Sequence, residues 1–279
     1  MMAPFMVTRN GPVATLTFDR PDRHNSFDWT FWRHFRRAVE DLDADGTCRA
    51  MVIAAEGAHF SAGMDYAFFD CADRPQGLDH GRYREGLLQV IAHLQRAVNV
   101  LEEVRFPVIA AVQGACIGGA LDLVCAATLR VCSSDARFQA AEVEVGLAPD
   151  MGTMQRLPKL VSSAVATELI LTGRPCHANE ARQIGLVCAV EPDAEATREK
   201  AIGIAHRIAE RSPLAVAGIK AGLLFARDNT VQAGLSHIAA WNAGLFVTED
   251  IGRSVAARRE RKTAHYADLQ PVPPDWLFG

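Results

Sequence analysis

The chain opens on two short runs, Phe5 to Arg9 and Val13 to Phe18, joined across Asn10-Gly11. Asn-Gly readily takes the positive φ values of a tight turn, so the pair predicts a β-hairpin. Ala50 to Ala55 and Val108 to Val112 are continuous apolar runs of strand length and predict buried strands. Between them the period changes. Phe31, Phe35, Val39 and Leu42 form one helical stripe, and Leu87, Ile91, Leu94, Val98 and Leu101 form another within Arg82 to Val104, after which Pro107 restarts the chain as a strand. The loop Arg20-Pro21-Asp22-Arg23-His24-Asn25-Ser26-Phe27 precedes the first helix and offers Asn25-Ser26 as an N-cap. Asp70 to Gly81 is polar, contains Pro75 and Gly77, and predicts a mobile loop. Beyond Leu160 the pattern is helical, with stops at Gly173 and Gly185 and a short strand at Val187 to Val190. Pro213 to Arg227, Val231 to Phe246 and Glu249 to Lys262 are amphipathic enough to pack on a neighbour as well as on their own core.

With 279 residues, 49% of them hydrophobic, the chain can bury a substantial core, and one main domain is expected. A net charge of -4 provides no global basic field, so neither nucleic acid nor an anionic membrane is expected as a partner. The seven cysteines, scattered through apolar segments without a CxxC pair, read as reduced core residues in a reducing compartment, and no metal site is expected. The N-terminus lacks a basic-then-apolar signal and Leu277-Phe278-Gly279 is not a peroxisomal address, so the expected location is the cytoplasm.

The stretch from Pro107 to Leu160 concentrates the candidate chemistry. Its strand breaks at Gly114 and leads into a helix entered through Gly118 and Gly119, which places unpaired N–H groups and the positive end of a helix dipole at one point. An oxygen acquiring negative charge could be held there. Three carboxylates follow in apolar surroundings. Asp122 interrupts Gly119-Ala120-Leu121-Asp122-Leu123-Val124, where a carboxylate is unfavourable unless paired or used, although an acid in a first helical turn also favours the dipole. Asp150 precedes Gly152-Thr153 and fits either a helix cap or a functional role. Glu142 and Glu144 alternate with Val143 and Val145 as strand residues do, which leaves one of them free to face water. Ser61, Ala62 and Gly63 permit close approach of a ligand but suit a tight turn equally well. His59 reads as structural or solvated.

The motifs FSAGMD (Phe60 to Asp65) and GACIGGALDL (Gly114 to Leu123), with RPDRHN (Arg20 to Asn25), resemble the crotonase (enoyl-CoA hydratase/isomerase) superfamily over nearly the whole chain. Asp122, Glu142 and Asp150 match the carboxylate pattern of its Δ3,5-Δ2,4-dienoyl-CoA isomerases. The resemblance implies an α/β fold, a crotonase-like spiral of ββα units over residues 1–200 with a C-terminal helical region over 201–279 that builds trimers or hexamers. The implied substrate is an acyl-CoA thioester, and no separate cofactor is implied, because coenzyme A is part of the substrate. Met64 and Gly119 map to the oxyanion-hole amides. Arg23 and His24 map to the CoA nucleotide site, and Ala62, Gly63 and Asp65 to the substrate-binding turn. The Asp70–Gly81 segment would lie over the acyl end of the pocket. Arg258-Arg259-Glu260-Arg261-Lys262 is a solvated helix face or, on the sharper reading, a CoA phosphate contact.

The implied reaction moves a proton from C2 to C6 of a 3,5-dienoyl-CoA, in fatty-acid or related acyl-CoA catabolism. Glu142 would act as base at C2, Asp150 as acid at C6, and Asp122 would orient and tune Glu142. Two rivals remain. An enoyl-CoA hydratase needs two glutamates around one water, and Asp122 stands where the first would be. A non-catalytic, possibly RNA-binding relative would lack a use for three acids, and no basic stripe interleaved with aromatics is present.

Overall fold

A computed structural model describes residues 4–71, 75–246 and 248–273. The hairpin forms as expected: β1 (Phe5–Asn10) pairs antiparallel with β2 (Val13–Phe18). Helix α1 (Trp29–Ala44) follows, but its N-cap is Asp28, whose carboxylate accepts from Phe31 N–H at 2.8 Å. Asn25 is diverted from capping. Its side chain is buried and bonds Arg20 N–H and the carbonyls of Glu56 and His59, which clasps this loop to the next one.

The strands β3 (Ala50–Ala55), β4 (Val108–Val112), β6 (Leu129–Ser133) and β9 (Ala189–Glu191) extend β2 as a parallel series, giving a six-stranded sheet in the order β1-β2-β3-β4-β6-β9. A second sheet, order β5-β7-β8, contains β5 (Ala115–Ile117), β7 (Arg137–Gln139) and β8 (Cys176–His177). The isolated bridges Phe27 to Met64 and Ser61 to Cys116 continue this second layer. Each unit therefore lays one strand in the large sheet and a shorter extended piece in the small layer, then departs in a helix: α1 after Phe27, α2 (His80–Glu103) after Met64, α3 (Gly119–Ala126) after β5. This is the expected ββα spiral.

The central strands are buried on both faces, so they read as unbroken apolar runs rather than as alternation. Met51, Ile53, Val108, Ala110 and Val112 join the main core with the aromatic cluster of Phe18, Phe27, Phe31, Trp32 and Phe60. Val52, Ala54, Ile109 and Ala111 face helix α7 (Ala194–Ala209), whose Ala201, Ala205 and Ala209 form a small-residue face against the sheet. The boundary expected at residue 200 thus falls inside α7, because that helix is needed to cover the sheet.

Helices α4 (Thr153–Leu160), α5 (Ser163–Thr172) and α6 (Ala178–Gln183) connect the layers, with Gly173 in the left-handed region ending α5. The final strand lies at Ala189–Glu191, slightly beyond the apolar run at Val187, since Leu186 and Val187 pack in the core between α6 and the sheet. Helices α8 (Pro213–Asp228), α9 (Val231–Leu245) and α10 (Glu249–Glu260) follow. The buried Lys220 ties α8 to the body: its Nζ donates to the carbonyls of Leu101, Val104 and Phe106 at the end of α2. Of the segment expected as a loop from Asp70 to Gly81, residues 75–79 are turn and loop, the first two residues end a 3-10 helix (Tyr66–Cys71) and the last two begin α2; residues 72–74 lie outside the described residues. The C-terminal tripeptide also lies outside them. Among the described residues no helix is long and apolar enough to cross a membrane.

Candidate active site

Two neighbouring loops build the floor of the site. The loop after β3 runs beside β5: Phe60 N–H donates to Gln113 O, Ser61 N–H to Ala115 O, and Ile117 N–H back to Ser61 O. Phe27 and Met64 are bridged on the other side, so Met64 is held between them. At Gly63, φ is +84° and a Cβ would stand 2.4 Å from Ile117 O and 3.3 Å from Gly119 N. Only glycine permits this approach of the two loops. It brings the Met64 and Gly119 amides to one place. Among the described residues no acceptor is found for the Met64 N–H, and Gly119 N–H, a first-turn amide of α3, has none within its helix.

The three carboxylates converge on the same place. Asp122, almost fully buried, sends Oδ1 to the N-terminus of α4, where it accepts from Thr153 N–H at 2.6 Å and Thr153 Oγ1 at 2.7 Å. Its Oδ2 is buried without a partner. Asp150 does not cap α4, whose N-cap is Gly152 at a φ of +132°. The residues around Glu142 are a 3-10 helix, Ala141–Val145, not a strand, because Gly146 closes the turn in the left-handed region. That curl turns Glu142 inward, with Oε2 buried and unpartnered and Oε1 near Gly118, while Glu144 accepts from Gln139 Nε2.

Burial pushes Asp122 up to about 6 despite the two opposing bonds from Thr153. Burial and then the adjacent Asp122 carboxylate push Glu142 up to about 7. Desolvation raises Asp150 as well. Two like charges this close disfavour joint ionisation, so Asp122 and Glu142 titrate as a coupled pair.

Above this cluster lies a cavity of about 420 Å³. Ala62, Met64, Gly118, Gly119, Glu142 and Asp150 line its polar end, and Trp29, Phe68, Tyr83, Leu87, Val90 and Ile91 line the apolar remainder. Trp29 and Phe68 are stacked, with ring centroids 4.4 Å apart. Leu87 and Ile91, the first two members of the apolar stripe expected on α2, are therefore not core residues but part of the cavity wall, and the buried part of the helix begins at Leu94.

The other residues singled out in the sequence fall around this site. Arg23 and His24 are exposed, and His24 O accepts from Ala62 N–H, which puts their loop beside the cavity. The Asp65 carboxylate turns away from the cavity, bonding Ala67 N–H and Ser26 Oγ with Arg20 nearby. His59 is structural, its Nδ1 accepting from Ala115 N–H. Arg258 to Lys262 are exposed. Thr153, Gln95 and Arg156 were missed in the sequence although each holds part of the site. Gln95 had a readable signal, since Gln95, Asn99 and Glu102 recur at helical spacing on one face of α2.

The family description Enoyl-CoA hydratase/isomerase matches residues 8–270. The chain is 41% identical over 254 residues to the mitochondrial Delta(3,5)-Delta(2,4)-dienoyl-CoA isomerase of Homo sapiens, covering 90% of this chain and 77% of that protein. It is 36% identical over 259 residues to the peroxisomal Delta(3,5)-Delta(2,4)-dienoyl-CoA isomerase of Arabidopsis thaliana, covering 92% and 93%. Among solved structures, an enoyl-CoA hydratase from Bacillus anthracis superposes with a TM-score of 0.86 at 26% identity, covering 94% of this chain and 98% of that one.

Proposed function

The chain belongs to the enoyl-CoA hydratase/isomerase family, and from that premise we propose that it converts a 3,5-dienoyl-CoA to the 2,4-dienoyl-CoA by two-carboxylate proton transfer. The observation that carries this reading is the meeting of three carboxylates, all raised in pKa, with two unpaired amides at one end of an apolar cavity. The thioester carbonyl lies between the Met64 and Gly119 N–H groups, which hold the enolate oxygen more strongly than the ground-state carbonyl. One such donor contributes about 3 kcal/mol at the transition state. Glu142, divided between its two forms near neutral pH, removes a proton from C2. The double bonds shift from C3=C4 and C5=C6 to C2=C3 and C4=C5 as Asp150 delivers a proton to C6. Glu142 then releases its proton and Asp150 regains one. Asp122 touches neither end of the diene; Thr153 anchors it and its charge tunes Glu142.

Ala62 and Gly63 shape the carbonyl turn, and Arg23 and His24 meet the CoA nucleotide, with Asp65 acting only through the backbone of the same turn. The exposed apolar residues of α8 to α10 support assembly into a homotrimer or a dimer of trimers. Six free cysteines among the described residues, five of them buried, support work in a reducing compartment, with the cytoplasm as the proposed one; fractionation of the source cells tests it.

The decisive variant is Asp150→Asn. Asp150 caps no helix, so the fold should be unaffected, while isomerisation should fall by roughly 10²-fold or more because an amide cannot donate the proton to C6. Exchange of the C2 proton with solvent deuterium should persist through Glu142. A folded Asp150→Asn protein with undiminished turnover, or a wild-type protein that hydrates 2-enoyl-CoA and leaves the diene unchanged, would overturn the reading.

A further inference from the structure

Asp150 lies between the 3-10 helix and α4, in no helix or strand of its own. Its segment is held by the backbone, and the holders come from elsewhere in the chain. Gln95 Nε2 donates to Asp150 O at 2.7 Å, and Arg156 Nη1 donates to Met151 O at 3.4 Å. Arg156 is buried, and Gly152 makes room for it, since a Cβ there would stand 1.8 Å from Nη1. The guanidinium is fixed in turn by Glu102, at 3.1 Å through Nε and 2.9 Å through Nη2, and by Asn99 Oδ1 at 2.6 Å. Gln95, Asn99 and Glu102 are spaced by four and three residues, so α2 presents one polar stripe to the Asp150 segment.

The stripe does not end the network. Glu102 also accepts from Arg227 Nη1 on α8, and Arg227 bonds Asp228, which pairs with Lys159 at the end of α4. A carboxylate shared by two guanidiniums is neutralised in place, whereas loss of either partner leaves a partly buried charge uncompensated. Arg227 Nε is buried and unpartnered, so the side chain is oriented for Glu102 and Asp228 even with one donor left unused.

We infer that Arg227 is a positioning residue for Asp150, acting through Glu102 and Arg156, so that the C-terminal helical layer sets proton delivery at the distal end of the diene. The inference rests on Asp150 being the distal acid. The proximal carboxylates have contacts outside this chain of ion pairs: Thr153, on α4 one turn before Arg156, donates twice to Asp122, and the Gly118-Gly119 turn adjoins Glu142. Displacing Arg227 should therefore affect the two proton transfers unequally, since small misplacements of a reacting group cost rate without removing binding.

The test uses the full chain as wild type, Arg227→Met, Arg227→Lys, Glu102→Gln and Asp150→Asn, with dienoyl-CoA turnover and C2 exchange in deuterium oxide measured on each. Arg227→Met and Glu102→Gln should lower kcat for isomerisation about tenfold, leave KM and C2 exchange within about twofold of wild type, and Arg227→Lys should recover most of the loss. Parallel loss of exchange and isomerisation, or an unchanged kcat in either folded variant, overturns the inference. If Arg227→Met does not fold, the nearly isosteric Glu102→Gln decides alone. An undiminished Asp150→Asn protein refutes the distal-acid assignment and the inference with it, whereas a crippled Asp150→Asn beside a fully active Arg227→Met refutes the inference only.

Discussion

Asp122 has two roles that seemed exclusive in the sequence. It is helix chemistry, but for the N-terminus of α4 and not for its own helix, and that engagement leaves Oδ2 free beside Glu142. Keeping Glu142 near neutrality has a consequence for stability. Its folded value of about 7 lies above the ordinary 4.5, so the folded protein binds this proton more tightly than the unfolded chain. The associated stability is fully present below about 4.5 and is lost as pH rises through about 7. Glu142→Gln removes the charge, so its melting temperature should exceed that of wild type by a few degrees at pH 8, with a smaller gap at pH 5, while isomerisation is lost. Thermal melts at the two pH values check this; an equal gap at both would show that Glu142 does not titrate in this window.

At the scale of elements, the site depends on short irregular pieces more than on the sheet. The 3-10 turn Ala141–Val145 aims Glu142, and the loop-to-strand pairing at Ser61 and β5 sets the distance between two amides. Gly63 is where that pairing is most sensitive. Gly63→Ala would combine a φ of +84° with a Cβ 2.4 Å from Ile117 O, so the loops must separate. We expect roughly 1–3 kcal/mol of lost stability, in the range of a strained backbone position, and a fall in kcat of more than tenfold. Denaturant titration and steady-state kinetics measure the two losses, and wild-type kcat in the folded variant would show that the two amides need not be this close.

Across the whole molecule, the main body is closed by α7, whereas α8 to α10 leave much of their apolar surface outward. Ile219, Leu223, Val231 and Leu235 are each more than half exposed, and α9 buries no residue fully. A monomer gains nothing from such a surface, and the proposed symmetric assembly would cover it. Light scattering over a wide dilution range should therefore give a trimer or a multiple of it, and a stable, active monomer would contradict the proposed assembly. The link from Arg227 through Glu102 to the Asp150 segment means that this outer layer also supports the site itself.

Where local pattern alone governs the backbone, the sequence was sufficient. The Asn10-Gly11 hairpin, the buried strands at Ala50 and Val108, the helices of α2 and of α8 to α10, and the acid Asp122 within an apolar run were all legible, because period, glycine conformation and an acid in an apolar run are properties of neighbours in the chain; Glu142 and Asp150 were singled out by the family resemblance. The partners of those residues were not. Asp28 displaced Asn25 as a cap because Asn25 was needed by Glu56 and His59, and Glu142 left its strand-like alternation because Gly146 and the small sheet curl the chain there. Thr153 beneath Asp122 and Arg227 behind Asp150 come from 31 and 77 residues further along, and only the packing of helices decides which distant polar group meets which. Local periodicity specifies which face is buried, but the hydrogen bonds that satisfy a buried charge depend on where the rest of the chain has been placed.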